Sequence, residues 1–206
     1  MLTVGNNMAV VEELLGNGLL SCPGCGGRLR GWGHAVRRPV FRAGRIPVAV
    51  RPRRARCAVC GVTHVLLPAW LLARRCDGTA VIGDMLARAA QGRGFRSIAA
   101  ATGVPEGTVR SRLRRFRGSA GRVRELFTRL AGALAVDPVP LDPAGSALGD
   151  AVVAVAAAAA AARGRWPGMV TVSGWELAAV VTLGSLLSPS VAFAGVRGDV
   201  SVSAPS

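Results

Sequence analysis

A chain of 206 residues is long enough to bury a core of its own as one or two small domains. It contains no lysine, so all 26 basic residues are arginine, and against 11 acids they give a formal net charge of +15. Without lysine there is no Walker-type nucleotide loop, and two isolated histidines do not suggest a Ser/His or Cys/His catalytic pair.

Met1–Val10 has neither a basic start nor a long apolar run, so a cytoplasmic, nucleoid-associated protein is expected. Ala9–Leu15 reads as a short amphipathic helix stopped by Gly16-Asn17-Gly18, which makes residues 1–19 a small N-terminal unit. Residues 20–76 are predicted to be a four-cysteine zinc ribbon. Cys22-Pro23-Gly24-Cys25-Gly26 and Cys57-Ala58-Val59-Cys60-Gly61 share the pattern C-x-x-C-G. Four thiolates close a tetrahedral shell around Zn2+ and leave no open position for chemistry, which marks a structural site. Each following glycine supports this, because a tight metal-binding turn needs positive φ while backbone N–H groups face the sulfurs. Disulfides or free buried thiols are the alternative. The odd count of five and the strain of a two-residue loop weigh against disulfides. Cys76, the fifth cysteine, is expected to be an inert buried thiol, and His34 and His64 to be structural rather than ligands.

The 31 residues between the pairs must form an arm. Arg28–Ala35 looks extended, Gly44 marks a turn, and Ile46–Val50 alternates as a strand does, confined to an edge by Pro47 and Pro52. Arg53-Arg54-Ala55-Arg56 leads into the second pair, and Val62–Leu67 closes an antiparallel ribbon. Strands this few need a metal to be stable. Ten arginines and no acid lie between Arg28 and Arg56, and Arg53, Arg54 and Arg56 are candidate phosphate contacts. Leu66–Leu72 is an apolar connector, read as the seam to the helices; a partner-binding patch is the alternative.

Residues 77–117 are predicted to be a three-helix, helix-turn-helix DNA-binding domain. Thr79–Ala90 places Val81, Ile82, Met85, Leu86 and Ala89 on one side. Gly92-Arg93-Gly94 ends it, and Phe95–Thr102 follows. Gly103 supplies a turn, and Pro105 suits a helix start because it lacks an N–H. Glu106–Arg117 is the third helix. Ala99, Gly103 and Val109 have helix-turn-helix spacing: a small residue for close crossing, a glycine for the turn, a valine to plug the angle. Val109, Leu113 and Phe116 fall on the core face. Gly107, Thr108, Ser111, Arg114 and Arg115 form the opposite face, suited to base edges in a major groove. Arg110, Arg112 and Arg117 flank it and suit phosphates. The alternative is an ordinary three-helix core with a solvated basic face. Charge favours DNA: residues 1–130 hold 23 arginines against six acids, and residues 131–206 three against five.

Residues 118–190 are expected to be a helical packing or oligomerisation region, and residues 191–206 a disordered tail. Ser119–Ala135 carries Val123, Leu126, Phe127, Leu130 and Leu134 at helical spacing. A Pro-rich linker, Asp137–Pro143, precedes an alanine-rich helix, Ala144–Arg163. Trp175–Leu187 is apolar nearly all round and is expected to pack on it or on another chain. Leu177–Val196 is also twenty residues without charge, so a membrane span is the sharper alternative.

The segment G103-V-P-E-G-T-V-R-S-R-L-R-R-F-R117 resembles the recognition segment of sigma-factor region 4 domains. The wider arrangement of CPGCGG, an arginine-rich arm, RRARCAVCGVTH, LLPAWLLARR and a helix-turn-helix resembles the N-terminal region of insertion-sequence transposases. It is also similar to short actinobacterial helix-turn-helix proteins of unassigned function. The resemblance spans about Ser21–Arg117 and implies that Cys22, Cys25, Cys57 and Cys60 bind zinc and that Glu106–Arg117 reads DNA. The chain departs from the transposase pattern in its back third. A transposase core needs three acidic metal ligands on an α/β domain of over a hundred residues, and 76 residues remain after residue 130. Asp142 suits an N-cap before Pro143, and Glu176 a capping-box partner of Ser173, which leaves Asp137, Asp150 and Asp199 without alternating strands and helices around them.

The fold class expected is therefore mainly α with a small zinc-ribbon β module. The function expected is sequence-specific binding of double-stranded DNA without catalysis, as a mobile-element accessory protein or transcription regulator. A transposase, a recombinase or a second copy would dock on the C-terminal helices. The alternatives are an adaptor that docks on a transposase or RNA polymerase, and an inactive transposase fragment.

Overall fold

A computed structural model describes residues 1–188. The tail expected to be disordered, and the end of the twenty-residue uncharged stretch, lie outside them. The helices outweigh the strands, as the mainly α expectation has it, and the strands form a four-stranded sheet and a separate two-stranded arm.

The sheet runs in the order β1 (Leu2–Val4), β6 (Thr63–Pro68), β5 (Arg53–Cys57), β2 (Leu29–His34). The β5–β6 and β2–β5 pairs are antiparallel, with Arg54 opposite Val65 and Leu29 opposite Cys57. The expected ribbon is therefore present. β1 was not foreseen; it pairs in parallel with β6, and three residues are too few to carry a readable alternation. Helix α1 (Met8–Gly16) lies against this sheet, capped by the Asn7 side chain on the Ala9 and Val10 amides. Val4, Val11, Leu15, Leu29, Ala55 and Leu66 form a small core that includes Cys22 and Cys57. β3 (Arg38–Phe41) and β4 (Pro47–Val50) make the arm, turned by Gly44 at φ 69°.

The connector after β6 threads from one core to the next. Leu66 belongs to the sheet core, Leu67 and Leu71 pack with Val40 of the arm, and Leu72 enters the helical core. The arm is tied to the same segment: Phe41 N donates to the Cys76 carbonyl, and Gly78 N to the Phe41 carbonyl. Leu66, Leu67, Leu71 and Leu72 are buried, so the connector is a seam and not an open patch.

α2 (Thr79–Ala90) and α3 (Phe95–Thr102) occupy the spans read from periodicity. α4 runs unbroken from Glu106 to Leu134, which corrects the division into two helices at Arg117. Glycine at 118 costs a helix only about 1 kcal/mol. The continuous face of Val109, Leu113, Phe116, Ala120, Val123 and Phe127, all buried, outweighs that cost. α5 (Ala147–Arg165) lies along α4 and buries Ala151, Ala154, Ala158 and Ala162. Its N-cap is Ser146, whose Oγ accepts from Gly149 N, and not Asp142. Among the described residues α5 alone is long and apolar enough to cross a membrane, and nearly half of it is buried in the fold.

α6 (Gly174–Val181) opens with the expected capping box, Ser173 with Glu176. It is shorter than expected. Leu183 and Gly184 take positive φ, and the chain turns back so that Ala73 N donates to the Gly184 carbonyl. Leu186 and Leu187 are then buried in the helical core. An apolar run of this length does not reveal that its second half is a loop.

Candidate metal centre and nucleic-acid interface

The two C-x-x-C-G segments are knuckles at the same end of the antiparallel β2–β5 pair. The Leu29–Cys57 register brings them together, because Cys57 ends β5 where β2 begins just after Cys25. In the first knuckle Gly26 N donates to the Cys22 carbonyl, and in the second Gly61 N donates to the Cys57 carbonyl. Gly26 and Gly61 have φ of 72° and 71°, the left-handed conformation the sequence pattern called for. At Gly27 a Cβ would lie 2.7 Å from the Val59 side chain, so the second glycine of the first knuckle lets the other knuckle approach.

The four sulfurs lie within 4.8 Å of one another. Cys22 Sγ is 3.8 Å from Cys60 Sγ, and Cys25 Sγ is 3.5 Å from Cys57 Sγ. A tetrahedral ion with bonds of ~2.3 Å to sulfur holds its ligands ~3.8 Å apart, so the spacing suits one ion and no S–S bond. All five cysteines are free. The amides of Cys60 and Val59 point at Cys57 Sγ and, against the opposing effect of burial, bring its thiol down to about 6. Cys60 is pushed up to about 12: the Val62 amide favours its thiolate, but the neighbouring sulfurs Cys25 and Cys57 and burial outweigh it. Thiols so crowded ionise together only with a cation among them.

His64 is buried, with Nε2 3.3 Å from Cys22 Sγ and Nδ1 3.2 Å from the Met1 amine. Burial, and then that amine, hold the imidazole below its usual pKa, so it is neutral at pH 7; the cluster of mutually close ligand atoms is made of the four sulfurs without it. It supports a ligand, which the sequence analysis did not assign; its place four residues after Cys60 was the available signal. His34 is exposed on β2. Cys76 is exposed, not buried as expected, because its neighbour Asp77 takes the inward position.

The arginines expected to touch DNA divide into three groups. Arg114, Arg115 and Arg117 are exposed on α4, with Thr108 and Ser111 half-exposed beside them. Arg110 is exposed and lies 4.3 Å over the Phe95 ring. Arg56 is exposed but stacked 4.9 Å over Trp32, and its Nε donates to the Gly61 carbonyl. Arg54 is half-buried. Arg53 is engaged inside the ribbon, 2.7 Å from Glu12 and donating to the Gly33 carbonyl at 2.8 Å. Arg112 is not on the exposed flank where helical spacing placed it. It is buried and paired with Asp77, itself 1% exposed, while Arg45 closes on Asp77 from the arm at 2.6 Å. Helical spacing put Arg112 on a flank, but the connector folds over that flank.

The back-half acids among the described residues are engaged in local structure where they pack. Asp150 accepts from Ala144 N and pairs with Arg124 at 3.4 Å, and Glu176 serves the capping box and Asn6. The four cysteines are the one cluster of metal-ligand geometry among the described residues.

No protein-family model, no curated protein and no solved structure matches this chain.

Proposed function

We propose that the protein binds double-stranded DNA, with α3 and α4 as a helix-turn-helix and a zinc-held ribbon as a second contact. The observation that carries this is the first three turns of α4. Val109, Leu113 and Phe116 are at most 2% exposed on one side, while Arg110, Arg114, Arg115 and Arg117 stand out on the other; the one acid of these turns, Glu106, sits at the helix start and lies 3.9 Å from Arg96. A helix anchored so firmly can present guanidinium forks to base edges and phosphates without ordering itself first. The junction supports it too: Gly103 turns the chain at φ 66°, and Pro105 starts α4. Zinc is the metal this reading assigns, since four thiolates in a tetrahedral arrangement suit it. Its role is to hold the ribbon, since four sulfur ligands leave no site for substrate.

In this role the protein works by binding and not by catalysis, at the nucleoid in the cytoplasm, in the service of a mobile element or of transcription. Fluorescence anisotropy with duplexes selected from random sequence tests it. Binding should weaken steeply with salt, and Arg114→Ala should relax the preference at one position, because a lost bidentate base contact is worth ~1–3 kcal/mol. Selection that enriches no sequence, or binding indifferent to Arg114→Ala, overturns recognition by α4.

A further inference from the structure

We propose that the hollow between the connector Arg74–Cys76 and the first turns of α4 is a phosphate-binding site. It encloses about 280 Å³ and is lined by Arg74, Arg75, Thr108, Ser111, Arg112 and Arg115. Four arginines, a threonine and a serine thus line one space large enough for a tetrahedral oxyanion.

Three observations converge there. First, the positive charge is only partly compensated. Asp77 binds Arg112 and Arg45 from the inner side, and Glu106 lies 3.9 Å from Arg96, outside the lining. Arg75 is held below its usual pKa by burial and then by the charges of Arg115 and Arg112, so these cations repel one another across the hollow. Second, Arg112 is 6% exposed and only part of its fork is satisfied: Nη2 meets Asp77, while Nη1 is buried without an acceptor. Buried guanidinium donors are normally paired, so Nη1 is a donor in reserve, reached once an anion displaces the side chains that cover it. Third, α4 begins at the hollow's edge with no side-chain cap, so its dipole adds to the attraction. The ligand class is a phosphate monoester or diester. The assignment rests on the hollow and not on the DNA reading; if that reading holds, the site would seat one backbone phosphate at the start of the recognition helix.

The test uses the full-length, metal-loaded protein. Inorganic phosphate is titrated and followed by 31P NMR, and a short DNA duplex is titrated by anisotropy. The variants are Arg115→Ala and Arg74→Gly, with Arg129→Ala, exposed far along α4, as the control. Arg74 already has φ 57°, so glycine suits its backbone and the fold is kept. Phosphate binding is expected to weaken about tenfold or more in the two hollow variants and to be unchanged in the control. If duplex binding weakens with it, the ligand is a DNA phosphate. If only phosphate binding weakens, the ligand is a free phosphate compound, and the site stands even if the DNA reading fails. Phosphate binding that is absent, or equal in all four proteins, overturns the proposal.

Discussion

Cys57 shows how much of the metal centre is prepared by the backbone. Two amides bring its thiol to about 6, while Cys60 stays near 12 until a cation relieves the repulsion of its neighbours. Adding Zn2+ to metal-free protein at pH 7 should therefore release protons, including that of Cys60, as a pH indicator in weak buffer would record. The sign on acidification follows from Cys57 and His64, both depressed in the folded state. Each favours the fold at high pH. His64 loses its contribution as the pH falls below 6.5, and Cys57 loses its own between 9 and about 6. Acid should thus expel the metal and loosen the ribbon together, seen as metal release to a chromogenic chelator. A second residue-scale expectation concerns Asp77. Asp77→Asn leaves Arg112 and Arg45 without their counter-charge, and breaking a buried pair costs ~3–5 kcal/mol. Urea unfolding should show that loss, whereas the exposed Arg114→Ala should change stability by no more than ~0.5 kcal/mol.

Among the elements, α4 and α6 are instructive for opposite reasons. At α4 the glycines read as a break, yet Gly118 is an exposed helical position where a Cβ would meet nothing. Gly118→Ala should raise stability by about 1 kcal/mol in urea denaturation. Gly83 on α2 behaves otherwise. A Cβ there would lie 2.0 Å from the Trp175 ring of α6, so Gly83→Ala should cost ~1–3 kcal/mol by overpacking. Both glycines look alike in sequence, and the difference is what stands opposite. The same holds for Leu183–Leu187: hydrophobicity shows that the segment is buried, but only a neighbouring surface decides whether it is buried as helix or as loop.

For the whole molecule, the two cores predict how it comes apart. The sheet core of Val4, Leu15, Leu29 and Leu66 includes Cys22 and Cys57 of the knuckles, while the helical core from Leu72 to Leu187 is a separate cluster that contains no cysteine. Chelation should abolish the near-UV signal of Trp32 and protease resistance around β2–β5, yet leave most of the far-UV helical signal; full helical collapse would refute that independence. The sequence by itself determined the four cysteines of the candidate metal centre, both knuckle glycines, the spans of α2 and α3 and the buried side of α4, because each is a local pattern set by turn chemistry or by a period of 3.6 residues. Tertiary structure alone decided that β1 joins the sheet edge, that His64 backs Cys22, that Arg112 is buried and Cys76 exposed, and that Arg74 and Arg75 meet Arg115 across a hollow. Each of these depends on which distant segment covers a given side chain. That is a matter of close packing and pairing of charge in three dimensions, which no spacing along the chain encodes.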